Sequence, residues 1–174
     1  MITEKEAIKL LKKYNINDLI LNHCIGVSKI AYDLAIKVLN NNPELDINPE
    51  KVKIAWLLHD IWKSYEWIHE LNTIKILKNE WLNEVAKISM HWFIYEYYLE
   101  KGNNNVNKYL PKTIENKLLI LSDMYYNKNQ ERVSIDERFN DILNRYSNDL
   151  QFCWIVKLAK NRILILEKEI LWLI

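Results

Sequence analysis

His59 and Asp60 stand side by side after the apolar run Ala55-Trp56-Leu57-Leu58, and Ile61, Trp62 and Lys63 follow them. Both side chains ligate a divalent metal once the imidazole is neutral and the carboxylate ionised. Neighbours on a helix point about 100° apart, so the pair meets at one ion only if the backbone bends or the ion sits at a helix end. The apolar run stops at Ile61, which favours the helix end. The chain has 4 histidines, namely His23, His59, His69 and His91. Asp123 follows Leu118-Leu119-Ile120-Leu121-Ser122, a setting in which an aspartate is costly to bury without a cation or hydrogen bonds. Singly, His23 and His91 read as histidines packed near apolar helical faces, His69 as the start of a solvated helix and Lys63 as a surface lysine.

Helices must position these residues, and Gly (2) and Pro (3) are scarce enough to permit long ones. Thr3 with Glu6 forms a capping box for a short helix through about Tyr14. Apolar residues at helical spacing predict a second helix from about Asp18 to Asn40, carrying His23. Asn48 and Pro49 open a third, to about Ile61, which delivers His59 and Asp60. A fourth is expected from about Ile68 to Lys78, with His69 near its start, and a fifth from about Glu80 to Glu100, with His91 inside it. Lys101 to Asn105 is a loop. Pro111 opens a sixth helix through about Tyr126, holding Asp123. Ser134 with Glu137 caps a seventh, to about Tyr146, and the last runs from about Asn148 to the end. Strand signals are nearly absent. The expectation is an all-α single domain over residues 1–174, a bundle of about seven to eight helices.

A length of 174 residues suits one domain, and the 49% hydrophobic and 27% charged content is that of a soluble globular protein. A net charge of +1 gives no bulk attraction to extended nucleic acid or to an anionic membrane. It leaves room for a small phosphate ester held at a local positive site. Cys24 and Cys153 lack zinc-ligand spacing and read as reduced core residues of a cytoplasmic protein. The N-terminus has no apolar signal core. No apolar run approaches the roughly 20 residues that span a bilayer.

The His59-Asp60 stretch resembles the central signature of the HD superfamily of metal-dependent phosphohydrolases, whose ligands follow the order H…HD…D and whose common central form is His-Asp-Ile-Gly-Lys. His23-Cys24-Ile25-Gly26-Val27-Ser28-Lys29-Ile30-Ala31 is similar to the His-x-x-x-Val-x-x-x-Ala opening of that family. Tyr109-Leu110-Pro111 to Asp123 is similar to the Leu-Pro…Glu-x-Lys-Ile…Ala-Asp block of small archaeal HD hydrolases. The likeness covers roughly residues 5 to 127. It implies His23, His59, Asp60 and Asp123 as ligands of one divalent ion, with His69 and His91 as ligands of a second or as phosphate contacts. Asp60 would then be the bridging carboxylate and Lys63 a phosphate contact, with catalysis resting on Asp60, Lys63 and His91. The implied metals are Mn, Fe, Co, Ni, Mg or Zn, and the implied substrate is a nucleotide or other small phosphate ester. Trp62 stands where the family has glycine, so either the backbone is ordinary there or the indole lines the pocket. Trp62, Trp67, Trp92 and Tyr125 lie near ligand candidates and suggest a base-stacking wall. The competing expectation is a non-catalytic nucleotide- or partner-binding module with a degenerate site. The apolar stretch from Ile163 to Ile174 suggests a homodimer surface.

Overall fold

The computed structural model describes residues 2–62, 69–90 and 93–174. Helix α1 (Glu4–Lys13) starts at the Thr3/Glu6 capping box. Asn17 caps α2 (Asp18–Asn41) by accepting from the Ile20 amide. Asn48 caps α3 (Pro49–Leu58) in the same way. Then come α4 (Glu70–Asn79), α5 (Asn83–Ile88) and α6 (Ile94–Glu100). A short 3-10 turn precedes α7 (Ile114–Met124), α8 (Ile135–Arg145) and α9 (Leu150–Leu171). Among the described residues the fold is all-α, and its one β-bridge, Tyr126 with Arg132, is isolated.

Among the described residues nine α-helices stand where seven to eight were expected, because the stretch from Glu80 to Glu100 is not one helix. The Leu82 amide reaches back to the Leu77 carbonyl at 2.8 Å and turns the chain at the end of α4. Trp81 takes φ 61° in that turn, the left-handed position usually given to glycine. At the end of α5 the Ser89 hydroxyl donates to the Val85 carbonyl at 2.7 Å. The third helix also ends earlier than expected, at Leu58, and the sixth begins at Ile114 under the Thr113 cap rather than at Pro111.

Helices α2, α3 and α7 pack mutually, and α9 lies against α6, α7 and α8. The core between them includes the fully buried Trp56, Leu57, Leu58, Ile61, Phe93, Phe139 and Phe152. By length and composition α2 is long and apolar enough to cross a membrane, which corrects the expectation that no run approaches that length. Its burial of Cys24, Val27, Ala31, Leu34, Ala35 and Val38 against the bundle accounts for the apolar content. Cys24 and Cys153 are both free thiols.

Candidate metal centre

Helix α3 stops one residue before His59, whose amide bonds to the Trp56 carbonyl in a tightened last turn. Asp60 follows in the turn itself. The bend lets adjacent side chains face one point, and the helix end proves to be where the pair sits. Both residues are buried. His59 Nδ1 lies 2.6 Å from the Trp56 carbonyl oxygen. A carbonyl can only accept, so the Nδ1 proton belongs to this bond and Nε2 is left to ligate. The Trp56 ring packs edge-on against the imidazole at 4.5 Å. Thr73 of α4 donates to the His59 carbonyl at 3.1 Å, tying the turn to the neighbouring helix.

His23 on α2 and Asp123 on α7 close the site from the other side. Ligand atoms of His23, His59 and Asp60 all lie within 4.8 Å of one another. His23 Nε2 is 3.0 Å from Asp123 Oδ1. About 3 Å is the edge of an octahedron with bonds of about 2.1 Å, so the donor set fits a divalent cation. Such an ion would take the place of the proton that His23 and Asp123 share. Asp60 looks two ways: Oδ2 is 3.6 Å from His59 Nε2, and Oδ1 is 2.7 Å from His69 Nε2. His69, at the start of α4, is buried rather than solvated. Five of the six ligand candidates are therefore brought together. Lys63 and His91 lie outside the described residues, as do Trp67 and Trp92.

Electrostatics keep Asp123 ionised. Burial alone would raise the Asp123 carboxyl, but the hydrogen bond to His23 and the nearby charge of Arg138 outweigh it and hold the group well below the usual carboxylate range. The Arg138 guanidinium lies 3.7 Å from Asp123 Oδ1 and also donates to Asp141 at 3.2 Å. Next to His69, burial pushes the Glu70 carboxyl up to about 7, against the opposing pull of His69. Sequence reasoning missed both Arg138 and Glu70. Arg138 shares the buried face of Ile135, Phe139 and Ile142, and an arginine in an apolar helical stripe was the available signal. Glu70 gave none, since an acid in a first turn reads as a favourable surface residue.

Of the expected aromatic residues, Trp62 and Tyr125 are among those described. Tyr125 points away, its hydroxyl donating to Glu167 of α9 at 2.8 Å. Tyr126 instead lies 5.7 Å from the His23 ring. It crosses Gly26, where an added Cβ would fall 2.2 Å from its hydroxyl oxygen, so the glycine is what admits the ring. Trp62 is half-exposed, and its φ is not positive. The backbone there is one that a tryptophan tolerates.

Imidazoles and carboxylates converging at a helix end inside an all-α bundle are a donor set that could hold a divalent metal. A model of the HD domain matches residues 20–128, more than half of the chain, and the chain belongs to that family, whose members are generally metal-dependent phosphohydrolases. It is also similar to a protein of Methanocaldococcus jannaschii named "Uncharacterized protein MJ0778", with 28% identity over 178 residues and 95% of each chain covered. No solved structure matches.

Proposed function

We propose that this protein hydrolyses a small phosphate ester, a nucleotide or nucleotide derivative, at a centre of one or two divalent ions. The observation that carries the reading is the approach of His23, His59 and Asp60 within 4.8 Å, with Asp123 at 3.0 Å from His23. These four residues hold the first ion. Asp60 turns its other oxygen to His69 and is the carboxylate available for sharing with a second ion, which His69 and His91 complete. The chemistry such ions supply is activation of water near neutral pH and neutralisation of phosphoryl charge. The protein's part is to fix the donors. Trp56 sets the His59 tautomer, Arg138 and His23 keep Asp123 ionised, and burial keeps bulk water from competing for the carboxylates. Lys63 is assigned to a substrate phosphate.

The test is elemental analysis of the full chain purified without chelator, alongside Asp60→Ala, followed by a nucleotide screen for phosphate release. About two ions per chain, lost in the variant, support the dinuclear hydrolase. About one keeps the hydrolase and reduces His69 and His91 to phosphate contacts. No bound metal, even after incubation with Mn or Ni, removes the catalytic reading and leaves a helical binding module.

A further inference from the structure

We propose that the outward face of α9 pairs with the same face of a second copy in antiparallel order, making a two-fold dimer independent of the metal centre. Helix α9 has two apolar stripes. One, with Phe152, Ile155, Val156, Ala159, Ile163, Leu166 and Ile170, is buried in the core. The other runs Leu150, Trp154, Leu158, Ile165 and Trp172, and these five side chains expose 39 to 86% of their surface. Their spacing keeps them within about 80° around the helix, so they form one stripe. The core does not need it, because the opposite face already serves that purpose.

Area argues for a second copy. At about 150–250 Å² for a large side chain, those exposed fractions amount to roughly 600 Å² per chain, at the upper end for the largest patch on a monomer. Antiparallel pairing covers Trp154, Leu158, Ile165 and Trp172 of each copy, roughly 950 Å² for the two stripes, close to the size at which specific interfaces begin. The stripe is tied to α6 by one hydrogen bond. Trp154 Nε1 donates to Glu100 at 3.2 Å.

The order of residues argues for self-pairing and for its direction. Along the stripe the chain reads Trp154, Leu158, Asn161, Ile165, Lys168, Trp172, with spacings of four, three, four, three and four. That is the alternation of a coiled-coil seam. Read backwards it has nearly the same pattern, aromatic at both ends and polar near the middle. Antiparallel pairing sets Trp154 opposite Trp172 of the second copy and lays the Lys168 stem over Leu158. It also keeps the two Asn161 side chains within about one turn of the two-fold axis, where a polar seam residue fixes register. Parallel pairing would instead place Lys157 and Lys168 against their own counterparts, like charge on like.

Sedimentation velocity on the full chain over a wide concentration range tests this. The expected species has twice the 21.0 kDa chain mass. Ile165→Glu and, at the exposed helix end, Trp172→Lys should each weaken association by about tenfold or more, with helical circular dichroism unchanged. Leu19→Glu, on the exposed surface of α2, should sediment as the wild type does. A wild type that stays monomeric throughout overturns the proposal. So does a dimer that both α9 variants leave intact, or one that Leu19→Glu disrupts as strongly.

Discussion

Asp123 carries its negative charge in a buried position, and Arg138 and His23 are what hold it there. Breaking a buried pair from one side leaves the other charge uncompensated, commonly at 3–5 kcal/mol. Replacing Arg138 by Met keeps the volume and removes the charge. In metal-free protein the expected loss is about 3 kcal/mol, read as a lower urea midpoint. Adding Mn should return part of it, since a cation beside Asp123 restores the missing positive charge. An unchanged midpoint would show that Arg138 does not support the site. The described residues legible in the sequence were those whose type is conspicuous: His23, His59 and His69, an aspartate joined to one of them, and an aspartate in an apolar run. The unread ones owe their roles to where the fold buries them. Glu70 looked like a surface acid, and Tyr126 owes its place to a missing Cβ at Gly26, on a helix far away in the chain and in no pattern a sequence displays.

Helix starts were legible because their signals are chemical and local. The capping boxes at Thr3 and Ser134 and the Asn48-Pro49 pair stand at the observed starts. The break after Glu80 was hidden because its turning residue is a tryptophan, not a glycine. A left-handed conformation costs a non-glycine residue roughly 1–2 kcal/mol, and the Trp81 indole, almost wholly exposed, recovers little of that by packing. Trp81→Gly should therefore stabilise the fold by about 1 kcal/mol, part of the relief being offset by the greater freedom of glycine in the unfolded chain. For a chain of this size the thermal midpoint should rise by about 2–4 °C. A fall in the midpoint would show that the indole makes a contribution its exposure conceals.

Which helices are neighbours is a property of the whole molecule, and periodicity says nothing about it. The all-α class was readable from scarce breakers and apolar spacing, but adjacency was readable only through chemistry: ligands that must share an ion must sit on touching helices. Helices α2, α3 and α7 do pack mutually, and with α4 they bring His23, His59, Asp60, His69 and Asp123 together from distant parts of the chain. An ion held by His23, His59, Asp60 and Asp123 would tie three helices at once and offset the repulsion between the buried carboxylates. Binding to the folded state alone adds RT ln(1 + [L]/Kd), about 2.7 kcal/mol at a hundredfold excess over Kd. That corresponds to a midpoint about 5–10 °C higher for a protein of this length. Thermal unfolding in chelator and in Mn should differ by that amount, and Asp60→Ala should unfold at the same temperature in both. If the wild type also shows no difference, the ion is not part of what holds the bundle together.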